Sequence, residues 1–170
     1  VVGGSLAVSG AVVQSILKNP LASPYTLGIT SGASLGVGII IITGISIPIL
    51  GNYTLSVTGF IFSLITMIII LKISQKLDKY LSNNTIILMG MVISLFLNSL
   101  LTTFSALYSK KIEAISRWQM GSFSLKGWSY LKMGLPFIII AIIWLMFYLR
   151  EMDIMTFGEE DAKALGVETE

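Results

Sequence analysis

The sequence predicts an all-α integral membrane protein, a polytopic bundle of about five transmembrane helices. Three observations carry this expectation. Of 170 residues, 54% are hydrophobic and only 12% are charged, and the mean hydropathy of +0.86 lies far from the balance of a soluble domain. Residues 19–71, 80–109 and 133–149 contain no charged side chain, so each run can supply the roughly 17–25 apolar residues that cross ~30 Å of hydrocarbon, and the first can cross twice. These runs also lack the alternation of a barrel strand. Backbone groups that find no water in lipid must then bond within helices.

The first span covers residues 1–17, VVGGSLAVSGAVVQSIL. It starts inside an apolar segment, as though cut, with no basic residue before it and no small-residue cleavage site after it, so it does not read as a signal peptide. Lys18-Asn19-Pro20 ends it. Pro20 and Pro24 each bias the preceding residue away from helix, which makes Asn19, Pro20, Leu21, Ala22 and Pro24 a turn. A second span runs over about 25–44, and Pro48 with Gly51-Asn52 marks the loop at 45–54. The third, about 55–77, leaves through Lys72, Lys76 and Lys79, and the fourth covers about 84–108. Residues 109–128 are too polar to span and amphipathic enough to lie at the interface. The fifth span covers about 130–149; beyond Arg150 the chain turns acidic, with seven of its nine acids in the last 20 residues.

Basic residues near span ends orient the bundle only weakly. Lys18, Lys72, Lys76, Lys79, Arg150 and Lys163 share one side and Lys110, Lys111, Arg117, Lys126 and Lys132 the other, six against five, which slightly favours a cytoplasmic turn at 19–24.

Several chemistries are excluded. The absence of cysteine and histidine removes disulfides, thiolates and imidazole metal ligands, and no metal site is expected. A net charge of +2 without a basic, aromatic stripe argues against nucleic acid. No phosphate loop occurs, so any nucleotide binds another chain and no cofactor is expected on this one. Gly32-Ala33-Ser34-Leu35-Gly36 matches a nucleophile elbow, but that elbow needs a preceding strand and a histidine base, so the match is chance. Asp78, Glu113 and the terminal acids fall outside the spans, which leaves no carboxylate to bind a coupling ion; energy for transport would come from a partner.

What the spans do carry is small and neutral. Gly28, Gly32 and Gly36, spaced by four, form a stripe that lets another helix approach closely, and Gly3, Ala7 and Ala11 form a similar one on the first span. Gln14 and Asn98 are either interhelical hydrogen-bond glue or the lining of a water-filled path; Ser94, Asn98 and Thr102 on the fourth span are the candidates for such a path. Near the C-terminus, Thr156 and Glu159 form a capping box, Glu160 and Asp161 suit a helix N-terminus, and Gly166 suits its exit. Ala162 and Leu165 fall on one face of that short helix. Read from residues alone, it is a solvated acidic tail.

Residues 3–36 resemble the signature of the membrane permeases of ABC importers for iron-siderophores, haem and cobalamin: Gly10 and Gln14, then Asn19-Pro20-Leu21-Ala22 with Pro24, then Leu27, Gly28, Gly32 and Ala33. Arg117-Trp118-Gln119-Met120-Gly121-Ser122 with Trp128 is similar to the family's W-x-x-G-S element, and Gly158-Glu159 through Ala162, Leu165, Gly166 and Val167 to its G-E-x-x-A-x-x-L-G-V segment. The resemblance implies a ten-helix permease of which this chain would hold the second to sixth helices, without the arginine-rich element that precedes them. It implies a second permease copy or homologue, two cytoplasmic ATPases carrying ATP and magnesium, and an external substrate-binding protein. It places both the 19–24 turn and the terminal segment in the cytoplasm. Gly158, Glu159, Glu160, Asp161, Ala162, Leu165 and Gly166 would then form the helix that grips the ATPase, and Lys110, Lys111 and Arg117 on the outer side would meet acids of the binding protein, with headgroup anchoring as the alternative. An iron-siderophore complex is the expected solute, haem or cobalamin the alternatives, and a passive channel or membrane scaffold the rival from another class.

Overall fold

The computed structural model describes residues 1–124 and 127–155. The regular structure of those residues is all helical, without strands, in the order α1 (Val2–Leu17), α2 (Ile29–Thr43), α3 (Thr54–Leu77), α4 (Asn83–Leu107), α5 (Ile112–Met120) and α6 (Trp128–Met155), with single 3₁₀ turns at Gly51–Tyr53 and Ser109–Lys111. Among the described residues, three stretches are long and apolar enough to cross a membrane: Gly51–Leu77, Asn83–Leu107 and Trp128–Ile154. Helices α1 and α2 are apolar but shorter, at 16 and 15 residues. The chain divides into two compact units, one joining residues 1–23 to the segment around α6 and the other comprising residues 24–124.

In the first unit α1 packs against α6, and the Ser15 hydroxyl donates to the Met152 carbonyl at 3.3 Å. α1 ends in a Schellman-type closure: Asn19 N–H reaches the Gln14 carbonyl and Lys18 N–H the Ser15 carbonyl, both at 3.2 Å. Lys18 takes the left-handed conformation this requires, at φ 47°, where glycine is the usual choice. The Asn19 side chain accepts from Leu21 N–H at 2.9 Å and its carbonyl accepts from Ala22 N–H at 3.0 Å, so the proline-rich segment folds as an Asx turn. Gln14 donates to the Pro20 carbonyl at 3.0 Å. It therefore closes its own turn instead of joining two helices. α6 runs on past the expected end at 149 to Met155, because Arg150 and the residues after it favour helix once clear of the apolar run, and it tolerates Pro136 inside.

The second unit is built around α2, which packs against α3, α4 and α5. α2 starts at Ile29, not at Tyr25 as expected. Residues 24–28 form a turn closed by Gly28 N–H on the Tyr25 carbonyl, and Gly28 enters α2 at φ +75°. Gly32 and Gly36 then carry α3 at near-contact distance: a methyl on Gly32 would overlap Thr66 and one on Gly36 the Phe62 ring. Leu35, Leu101 and Ile115 form the buried cluster that joins α2, α4 and α5, with Leu97 and Phe104 packed against it. Ile70 and Ser74 of α3 are wholly buried.

A polar cleft as candidate functional site

A cleft of about 410 Å³ opens between α2, α4 and α5. The first turns of α2 supply Thr30, Ser31, Ala33 and Ser34, with Tyr25 from the turn before them; α4 supplies Asn98, and α5 supplies Trp118 and Gln119. Asn98 Nδ2 donates to Ser31 Oγ at 3.2 Å, an interhelical bond spanning 67 residues of sequence. Ser31 is buried while Asn98 is exposed, and one bond uses only part of what a carboxamide can make. On α5, Ile115, Trp118 and Gln119 fall three and four residues apart, so burial of Ile115 in the core brings the other two to the cleft. The amphipathic segment expected to lie at the interface thus contains a helix that packs on the bundle through one face.

Among the described residues, no charged side chain lines this cleft. Arg117, next in sequence to Trp118, pairs with Glu113 one turn earlier on exposed surface. Among the described residues no cluster of three potential metal ligands occurs. The perturbed acid lies elsewhere, in the connection from α3 to α4. The Ser82 hydroxyl and N–H, the Tyr80 N–H and the Thr85 hydroxyl hold the Asp78 carboxyl below its ordinary range. Tyr80 N–H and Ser82 N–H each donate to it at 3.0 Å, which organises the turn ahead of α4.

The residues singled out from sequence distribute unevenly over this geometry. Of the three path candidates only Asn98 lines the cleft. Ser94 donates to the Gly90 carbonyl at 2.8 Å and sits against Gly28, where a methyl would lie 2.6 Å from its oxygen; Thr102 is exposed on α4. The Gly28, Gly32 and Gly36 stripe serves two neighbours, since Gly28 meets α4 and the other two meet α3. Gly3, Ala7 and Ala11 are exposed, and nothing lies within 4 Å of a methyl placed on Gly3. Lys110 and Lys111 are exposed in the 3₁₀ turn before α5, and Arg117 is offset by Glu113. The segment from Gly158 to Gly166 lies outside the described residues. Sequence reasoning missed Ser31, Ser34 and Gln119 as cleft residues, and missed Gly38 and Gly90. A methyl on Gly38 would lie 2.5 Å from Leu101, and one on Gly90 2.8 Å from the Thr26 carbonyl. The signal for Gly90 was present: it is the lone glycine of α4.

Long apolar helices, packed closely at glycines within the second unit, are the architecture of a multi-pass membrane protein. The chain belongs to the FecCD transport family, whose profile matches residues 1–170. It is 40% identical over 166 residues to the uncharacterized ABC transporter permease YvrB of Bacillus subtilis (strain 168), covering 98% of this chain and 47% of that protein. It is 34% identical to the hemin transport permease HmuU of Yersinia pestis (98% and 50% covered) and 31% identical to the cobalamin import permease BtuC of Halobacterium salinarum (99% and 44%). A solved inward-facing ABC transporter assigned to the metal-chelate type superposes with a TM-score of 0.86 at 30% identity, over 99% of this chain and 52% of that one. The chain spans about half the length of the curated relatives it matches.

Proposed function

We propose that the complete protein is the permease subunit of an ATP-driven importer in the bacterial cytoplasmic membrane, and that its cargo is an iron-siderophore complex. The family match over the whole chain is the observation that carries the importer reading. Relatives named for hemin and cobalamin make those the competing cargoes. The permease pairs with a second copy or a close homologue and sits on two cytoplasmic ATPases that hold ATP and magnesium, and an external binding protein delivers the solute. Closure of the ATPases moves the segment from Gly158 to Gly166, and the helices respond by opening the path to the other side. A capped helix transmits such motion better than a loop, and the hydrogen-bonded turn at Asn19 to Ala22 stiffens the neighbouring connection. Lys110, Lys111 and Arg117 steer the binding protein to the outer face.

Solute uptake into membrane vesicles, with ATP supplied or depleted, tests the reading. Uptake of radio-iron from a ferric chelate is expected only with ATP. Uptake that persists without ATP on a proton or sodium gradient would refute it.

A further inference from the structure

We propose that the C-terminal end of α3 binds the headgroup of an anionic phospholipid, with Lys72 and Lys76 as the residues that select it. The site requires only that α3 span a membrane, so it stands apart from the importer reading above.

The two faces of α3 differ in kind. The face packed within the second unit carries Thr58, Gly59, Thr66 and Ser74, the small and polar residues at which membrane helices meet one another. The opposite face carries Ile61, Leu64, Ile65, Ile68 and Ile69, each 43–51% exposed. These large aliphatic side chains suit acyl chains and offer a second helix no close approach. Ile61, Ile65, Ile68, Lys72 and Lys76 follow one another at intervals of three or four residues, so the two exposed lysines continue the isoleucine face. Lys72 lies 18 residues after Thr54, the first residue of α3, about 27 Å along the axis at 1.5 Å per residue. With the isoleucines among acyl chains in a hydrocarbon core ~30 Å thick, Lys72 reaches its edge and Lys76, one turn further, reaches the headgroups. Their apolar stems lie along the stripe while the ammonium groups meet the phosphate. A charge that served only to orient the helix would need no such register with the apolar face.

The charge at this end is one-sided. Asp78 is the only acid in residues 1–112, and its carboxylate is turned into its own loop, where it accepts from Tyr80 N–H and Ser82 N–H at 3.0 Å and from the Thr85 hydroxyl at 3.2 Å. Lys79, exposed in the same loop, adds a third cation. Tyr80 is 95% exposed beside it and is of the residue type enriched at headgroup level. A zwitterionic headgroup brings its own cation to its phosphate, whereas an anionic one leaves the phosphate to the lysines. Each basic residue held near an anionic membrane surface is worth about fivefold in binding.

The test places a fluorophore on Ile68→Cys of the complete protein, with no other cysteine, in vesicles of equal parts phosphatidylglycerol and phosphatidylcholine. The acyl chains of one lipid or the other are brominated. Ile68 sits one turn inside Lys72, so quenching reports the lipid held there. At low salt, phosphatidylglycerol is expected to be favoured by at least about fivefold. The preference should fall to about twofold or less in Lys72→Gln/Lys76→Gln and in about 1 M salt, and should survive in Lys72→Arg/Lys76→Arg. Should the double glutamine variant fail to accumulate, Lys72→Gln and Lys76→Gln carry the test singly, each lowering the preference about two- to fivefold. Equal quenching by the two lipids, or a preference that the glutamine substitutions leave intact, would overturn the proposal. Quenching by neither lipid would also overturn it, by showing that protein covers this face. All three results leave ATP-dependent uptake, and the importer reading with it, untouched.

Discussion

Gly32→Ala is the most direct probe of how α2 and α3 meet. A methyl built on Gly32 overlaps the Thr66 hydroxyl and lies 2.8 Å from Thr66 Cβ and 3.0 Å from the Phe62 carbonyl oxygen. Rotating Thr66 relieves only the first of these, because the Cβ and the carbonyl belong to the α3 framework. It would also break the 2.8 Å bond from Thr66 Oγ1 to that same carbonyl. Restoring the ordinary carbon–carbon separation of about 3.5 Å means parting the helices locally by roughly 0.7 Å, a gap that forfeits a quarter to a half of each dispersion contact it opens. Overpacking of this kind costs about 1–3 kcal/mol, and the better helix propensity of alanine returns up to about 1 kcal/mol, so a net loss of about 1–2 kcal/mol is expected. The assay is thermal or denaturant unfolding of the complete protein in detergent. Gly10→Ala is the control, since nothing lies within 4 Å of its added methyl, and it should be neutral or slightly stabilising. The combination of Gly32→Ala with Thr66→Ala should recover part of the loss and not all of it, because the Phe62 carbonyl stays in place. A Gly32→Ala protein that unfolds at or above the wild-type midpoint would refute the close approach of α2 and α3.

Four further outcomes follow from the same residues. Asp78 has its folded pKa lowered from 3.8, so the stability its hydrogen bonds lend the turn is fully present above that value and is lost as pH falls through the lowered one; amide exchange at Tyr80 and Ser82 should rise over that acid window in wild type and show no such step in Asp78→Asn. Ser74→Ala should be neutral or stabilising by up to about 1 kcal/mol in a melt, because Ser74 is wholly buried and its hydroxyl has no partner among the described residues. Reversing Lys110, Lys111 and Arg117 together should slow association with the binding protein at low salt and leave the rate at high salt little changed, and an unaltered low-salt rate would return these residues to headgroup anchoring. Leu165→Asp should leave membrane insertion and abundance normal while weakening association with the ATPase; full association and full uptake would restore the acidic-tail reading of that segment.

Composition and spacing carry the architecture further than they carry the site. The charge-free runs announce α3, α4 and α6 because lipid accepts nothing else, and the four-residue spacing of Gly28, Gly32 and Gly36 announces a helix that others approach closely. The boundary at Tyr25 is not legible, since nothing in Tyr-Thr-Leu-Gly forbids helix; it is the left-handed Gly28 that delays α2. Nor is the left-handed Lys18, where the usual glycine signal is absent. The cleft is hidden for a different reason. Ser31, Asn98 and Trp118 are ordinary polar or interfacial residues on three helices, and only tertiary packing brings them to one opening.

The packing and the cleft are one arrangement. Gly28 meets α4 beside Ser94, and Ser31, three residues further into α2, bonds Asn98, four residues beyond Ser94. The close approach at the glycine thus sets the separation at which the serine and the carboxamide meet one turn along. A larger residue at Gly28 would be strained by its positive φ and would push on the Gly90 carbonyl, 2.9 Å from the added methyl, so α4 would have to withdraw from α2. Withdrawal lengthens the 3.2 Å bond from Asn98 to Ser31 and widens the cleft in the same movement. A helix pair joined this way translates a small shift at one end of α2 into a change in cleft shape one turn away, because the interior is close-packed and does not absorb the displacement.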